Sequence, residues 1–327
     1  MNRAWYRPTI LSLGLLLGLA AAIPAQAQDY PNRPVRIITD SAPGSAIDVI
    51  LRTIADRLTQ TWGQQVVAVN QPGGGGAIAA RAAAAAAPDG YTLAIPALSA
   101  FVAPPGAAAN LPIQVPRDFA PVGYFGGAPM FVTATPSLGV TTLPELIALA
   151  KQRPGELAYG TNGVGRLTHL TGELLQSRTG IKLLMVPYSG GTAQVLNDVM
   201  GGRISLVFEA YSGLAGAIEA KTVRPLAVAS SKRVPDFPDL PTVAETIPGF
   251  AAVGWQVLVA PAGTPEAIVR KVNADLIEAL SNPDTRKRLA SFGREERPLS
   301  PAETLAFIQG EQQMWAPILA QIARSQQ

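Results

Sequence analysis

The feature that most constrains this chain is a repeated alternation of short β-branched runs with helical stretches, joined by tight turns. Val35–Thr39 predicts a strand, and Ile47, Ile50, Leu51, Ile54 and Leu58 then recur at helical spacing. Gln65–Val69 predicts a second strand, alanine-dense Ala77–Ala87 a helix, and Tyr91–Ile95 a third strand after the Pro88-Asp89-Gly90 turn. Strand, helix, strand, helix, strand at these spacings predicts a parallel sheet with right-handed crossovers. A second such series follows. It has strands at Ala158–Thr161, Leu183–Tyr188, Ile204–Phe208 and Leu226–Ala229, and helices at Leu143–Arg153, through Leu167, Leu170, Leu174 and Leu175, and at Val195–Met200. The first of these helices is begun by a Thr142 cap and stopped by Pro154-Gly155.

Between the two series, proline-rich Ala103–Val115 predicts a surface loop, and Phe119–Phe125 and Met130–Ala134 predict extended chain. Val253–Val259 is extended again, and two helices close the sequence near Pro265–Ser281 and Pro301–Ile322. The fold class expected is therefore α/β, with two units in series and two crossings, near Phe125 and Val253. Residues 28–125 would open lobe 1, 126–252 would form lobe 2, and 253–327 would return to lobe 1. No long linker separates the units, which fits a hinge better than a tether.

The first 27 residues read as a removable leader. Arg3 and Arg7 precede an apolar run from Ile10 to Ile23, and Ala25-Gln26-Ala27 is a small-x-small cleavage signature. The run is shorter than the roughly 20 residues that span a bilayer. Cleavage after Ala27 and a periplasmic location are expected. With no cysteine in the chain, a lipid anchor on an N-terminal cysteine is not available.

The same absence excludes disulfides, cysteine nucleophiles and Cys/His zinc sites, and His169 is the sole histidine. Removing Arg3 and Arg7 with the leader leaves 24 basic against 23 acidic residues. A near-neutral surface argues against nucleic acid, which demands a basic stripe. No cofactor is called for.

Three glycine-bearing loops each follow a strand and open a helix. They are Ser41-Ala42-Pro43-Gly44-Ser45-Ala46-Ile47-Asp48, Thr161-Asn162-Gly163-Val164-Gly165-Arg166, and Tyr188-Ser189-Gly190-Gly191-Thr192. Such loops aim backbone N–H groups outward from the positive end of a helix, where an anion binds without any lysine. Arg166 is their only cation and could clamp a carboxylate through two hydrogen bonds. Ser45 and Asp48 also fit a capping box that would only start the helix. Asp48 would otherwise receive a ligand ammonium or pin the loop. Glu209, after the strand Ile204–Phe208, would bind a ligand ammonium or hydroxyl, or lie exposed.

Together these motifs resemble the Bug-type extracytoplasmic solute receptors of tripartite tricarboxylate transporters. The resemblance runs from Tyr30-Pro31-Asn32-Arg33-Pro34-Val35-Arg36 through Ala42-Pro43-Gly44, Gln71-Pro72-Gly73 and Pro88-Asp89-Gly90-Tyr91-Thr92-Leu93. It continues in Arg117-Asp118-Phe119-Ala120-Pro121-Val122, His169-Leu170, Val186-Pro187-Tyr188, Pro241-Thr242-Val243-Ala244-Glu245 and Ala260-Pro261-Ala262-Gly263-Thr264-Pro265. It implies a type II-like periplasmic-binding-protein fold of two lobes hinged by two crossover strands, a Venus flytrap. It implies capture of di- or tricarboxylates, aromatic acids or acidic amino acids. It implies transient partnership with integral-membrane transporter subunits, and the working form is expected to be a monomer. Ser41, Ala42, Gly44 and Ser45, then Thr161, Asn162, Gly163 and Gly165, would grip the ligand carboxylate. Tyr188, Gly190, Gly191 and Thr192 would line the cleft. The chain departs from the family pattern at Asp40-Ser41, where a Pro-aromatic pair is usual. It also departs at Ser45 for a glycine, Arg166 for a serine, and Glu209 for an aspartate. Arg166 is accordingly expected to bind a second carboxylate.

Two other readings stay open from sequence: a sensory receptor presenting the same ligand to a membrane histidine kinase, and a hydrolase. Gly-x-Ser-x-Gly is absent, which disfavours the latter.

Overall fold

The computed structural model describes residues 30–73, 76–96, 98–102, 113–188, 191–289 and 297–325. The leader and its cleavage site, most of the Ala103–Val115 loop, and Ser189-Gly190 of the third loop lie outside the described residues.

The first half alternates as its periodicity dictates: β1 Val35–Thr39, α1 Ala46–Trp62, β2 Val66–Asn70, α2 Ala77–Ala84, β3 Thr92–Ile95 and the short α3 Leu98–Val102. Then come β4 Phe119–Ala134, α4 Leu143–Gln152, β5 Ala158–Thr161, α5 Leu167–Thr179, β6 Leu184–Pro187 and α6 Gly191–Met200. These are followed by β7 Leu206–Ala210, α7 Tyr211–Glu219, β8 Arg224–Val228, α8 Val243–Thr246, β9 Val253–Pro261, α9 Glu266–Ser281, α10 Pro283–Leu289 and α11 Pro301–Ser325.

The strands form one sheet in the order β2-β1-β3-β9-β4-β7-β5-β6, with β8 also paired to β4. The parallel expectation holds within each half: β1 pairs parallel with β2 and β3, and β5 with β6 and β7. It fails for the crossing strands. β9 runs antiparallel to β3 and β4, and β4 antiparallel to β7 and β8. The two extended runs expected at 119–125 and 130–134 are one continuous strand of 16 residues. β4 pairs with β9 from Phe119 to Pro129, then with β7 from Met130 to Ala134. It thus belongs to both half-sheets, and burial on both faces explains why no polar alternation marks it. Its register shifts fall beside Pro121 and Gly126, where a missing donor or an irregular backbone can be absorbed.

The closing helices pack where the periodicity sends them. Trp62 Nε1 of α1 donates to Asp275 of α9 at 2.6 Å, and Asn273 Nδ2 donates to the Val122 carbonyl of β4 at 2.8 Å. α11 lies against α3 and β4 and also reaches α5. Its Gln312 Nε2 donates to the carbonyls of Phe101 and Ile113. Trp255, Trp315 and Phe101 are fully buried in the main core, and Phe131, Val207, Leu214 and Val228 form a second one. The cap expected at Thr142 is present, with Thr142 and Glu145 satisfying each other's amides. Among the described residues, no helix is long and apolar enough to cross a membrane.

Candidate functional site

At the carboxyl ends of β1, β3, β5 and β7, between the half-sheets, lies a cavity of about 570 Å³. That falls in the range of roughly 300–1,000 Å³ typical of small-molecule sites. Its floor is the pair of crossing strands, through Ala128 and Met130 of β4 and Gly254, Trp255 and Gln256 of β9.

The first loop supplies Ser41, Ala42 and Ser45 to the wall, whereas Gly44 and Asp48 lie outside the lining. Ser45 caps α1 by accepting from Asp48 N, but the capping box is only half made. Asp48 does not reach back to Ser45 N; it accepts from Gly44 N at 2.8 Å, Arg52 Nε at 2.9 Å and Asn70 Nδ2 at 2.8 Å. Asn70 Nδ2 also donates to the Ser41 carbonyl at 3.0 Å. Asp48 is therefore the pin of the first loop. The Arg52 hydrogen bond, against the opposing effect of burial and helped by Gly44 and Asn70, holds its carboxyl down at about 2. Stability from this carboxylate is complete above the ordinary value of 3.8 and is lost as pH falls through about 2. Asp48→Asn is expected to destabilise the protein by about 2–3 kcal/mol in urea unfolding at neutral pH and to flatten the stability loss between those two pH values.

The second loop brings Asn162 and Arg166 to the wall, together with Leu167 and Thr168. Thr161, Gly163 and Gly165 stand behind them. Thr161 Oγ1 pairs with Thr168 Oγ1 at 2.8 Å, and the Thr168 hydroxyl donates to Asn162 Oδ1 at 2.7 Å. Gly165, at φ +77°, directs its amide onto His169 Nδ1 at 3.0 Å. That acceptor role puts the remaining proton on Nε2, facing Glu173 at 3.7 Å. Burial pushes His169 down from its ordinary range, against the pull of Glu173, so it stays neutral and keeps accepting. The loop thus leaves α5 open: Arg166 is its N-cap, and no side chain caps it. The first amides of a helix have no intrahelical partner, and Arg166, Leu167 and Thr168 at this helix start line the cavity.

The third loop contributes less directly. Tyr188 is buried, its hydroxyl donating to Asp198 at 2.6 Å, and Tyr188, Gly191 and Thr192 are not part of the lining. Gly190 lies outside the described residues. Thr192 acts through Glu209, which does line the cavity: its hydroxyl donates to Glu209 Oε2, while Ala210 N donates to Oε1. Burial raises the Glu209 carboxyl, and these two hydrogen bonds oppose that. Glu209 sits at the uncapped start of α7, a helix whose glycines hid it from periodicity. Gly213 is required there, since a Cβ would come within 2.8 Å of Glu209 Cγ.

Several wall residues escaped the sequence reasoning. Asp40, marked in the sequence only as a departure from the family pattern and not as a ligand contact, follows β1 directly, and the rule that ligands sit at strand carboxyl ends places it at the site. Ile47, Ile50, Ile95, Leu98, Met130 and Trp255 also line the cavity, and nothing in an apolar side chain distinguishes a cavity wall from a core. Trp255 is held from behind: its Nε1 donates to Glu311 Oε2 at 2.7 Å, which also takes Trp315 Nε1 at 3.1 Å. Phe101 and Phe307 flank its ring at 5.4 and 5.3 Å.

Comparison with known proteins agrees over nearly the whole chain. Residues 50–323 match the model of the tripartite tricarboxylate transporter family receptor. Protein BugT of Bordetella pertussis is 36% identical over 310 residues, covering 94% of this chain and 95% of the relative. The solved structure of Rpa4515 from R. palustris with adipate is 33% identical, with a TM-score of 0.75 over 88% of this chain and 97% of that one. MatC from Rhodopseudomonas palustris with bound malate is 29% identical, with a TM-score of 0.72 over 89% of this chain and 100% of that one. The two half-sheets that share β4 are thus the two-lobed periplasmic-binding-protein fold, and the chain belongs to the tripartite tricarboxylate transporter receptor family, whose members are periplasmic solute-binding receptors and not enzymes.

Proposed function

We propose that this receptor captures a small organic carboxylate in its cavity, closes its half-sheets over it, and presents the closed form to integral-membrane subunits of a tripartite tricarboxylate-type transporter. The observation that carries the reading is the uncapped start of α5 with Arg166 beside it, facing the cavity. A carboxylate there meets unpaired amides, the positive end of a helix and a guanidinium fork at once. The opposite wall, through Ser41, Ala42 and Ser45, gives the same ligand contacts from the other half-sheet. A ligand that touches both halves only when they approach shifts the open–closed equilibrium by its differential affinity. In this reading the lobes are 28–125 with 253–327, and 126–252; residues 1–27 are removed on export; and the receptor works as a monomer.

The adipate and malate of the structural neighbours are the first acids to try. Differential scanning fluorimetry with a panel of mono-, di- and tricarboxylates, aromatic acids and amino acids is expected to show a rise in Tm for at least one class, as linkage requires. A rise of the same size with uncharged amides or esters of those acids would contradict carboxylate capture.

A further inference from the structure

Among the described residues, the charged side chains of the cavity wall are Asp40, Glu209 and Arg166. Two acids against one base is an odd inventory for a site that takes only anions. The Glu209 carboxyl is engaged, accepting from Thr192 and from Ala210 N. Asp40 is not. It stands half-buried at the carboxyl end of β1, and no basic group comes within ion-pairing distance of it among the described residues. Arg166, on the opposite half-sheet, is the cation whose charge bears on it.

We propose that Asp40 is a specificity-determining residue: it receives a cationic group, such as an ammonium, on the far end of a solute whose carboxylate lies on α5 and Arg166. This rests on the carboxylate reading above and narrows it from organic acids in general to solutes with one carboxylate and one amine. The arithmetic of charge supports it. A dicarboxylate would place its second negative group in the cavity that the Asp40 carboxyl lines. An amino acid adds none, and puts unlike charges together at both ends. In a site screened from water, like charges repel and unlike charges attract more strongly than in solution. Burial pushes the Asp40 carboxyl above its ordinary range, with Arg166 and its own backbone amide pulling it back, so a cation at this place is under-supplied in the unliganded protein.

The test compares matched skeletons by titration calorimetry on the full mature protein: succinate against γ-aminobutyrate, glutarate against δ-aminovalerate, and adipate against ε-aminocaproate. In the wild type, the amino acid of the best-fitting length is expected to bind at least ~10-fold tighter than its diacid. Asp40→Asn is expected to erase or reverse that preference, while keeping the wild-type Tm without ligand, since an amide oxygen at this position can still accept from the same backbone amide. Diacids that bind tighter than their amino acids to the wild type overturn the proposal, as does a preference unchanged in Asp40→Asn; either leaves carboxylate capture intact. If no member of either series binds and no acid of the wider panel does, carboxylate capture itself fails and the role of Asp40 falls with it.

Discussion

Arg166→Ala is expected to lower the affinity for the captured acid about 100-fold while leaving the Tm of the unliganded protein unchanged. Arg166 is exposed at the cavity wall and forms no ion pair among the described residues, so its removal breaks none. Substitutions of that kind change stability by no more than about 0.5 kcal/mol. In the complex the loss is larger, because a bidentate, charge-assisted pair in a closing cleft is forfeited; 100-fold is about 2.7 kcal/mol. The amides at the start of α5 remain, so binding weakens without vanishing. Arg166→Lys restores the charge but not the planar fork and is expected to recover only part of the affinity. Calorimetric titration alongside scanning fluorimetry separates the two effects, and an unchanged Kd in Arg166→Ala would remove the clamp from the account.

The largest effect on stability is expected from Trp255→Ala, at about 3–5 kcal/mol in urea unfolding. Trp255 is 1% exposed, packs against Phe101 and Phe307, and forms part of the cavity floor. Its loss opens a void between β9 and α11 and removes one of the two indole donors that the half-buried Glu311 accepts. Burial already raises the Glu311 carboxyl, and the two indole hydrogen bonds oppose that rise. Trp255→Phe keeps most of the volume and deletes only the Nε1 donor, so it is expected to cost about 1–2 kcal/mol. Equal destabilisation by the two substitutions would mean that the hydrogen bond, not the packing, fixes this residue.

Much of this architecture is legible in the sequence wherever a local period exists. The strands around Ile37 and Val67 announce themselves by β-branched runs, and the helix by the spacing of Ile50, Ile54 and Leu58, all three of which are buried. The direction of β9 does not, because antiparallel pairing with β3 and β4 is decided by where the chain returns, not by the composition of Val253–Pro261. α7 is silent because Gly213 and Gly216 dilute its period, and Gly213 is there for Glu209. At the site, the glycine loops mark where donors cluster but not which members face inward. Ser41, Ala42, Ser45, Asn162, Arg166 and Glu209 reach the cavity, whereas Asp48, Thr161 and Tyr188 are taken up in bracing it. Both groups carry polar side chains beside glycine, and only the tertiary fold separates them.

The central claim is that the start of α5 holds the carboxylate of a ligand lying between the two half-sheets. Crystals grown with the tightest-binding acid of the panel test it most directly. The account predicts one carboxylate within about 3 Å of the amides at Leu167 and Thr168 and of the Arg166 guanidinium, with the loop from Ser41 to Ser45 in contact with the same molecule. An acid bound elsewhere, or one whose carboxylate leaves the start of α5 to solvent, would contradict it.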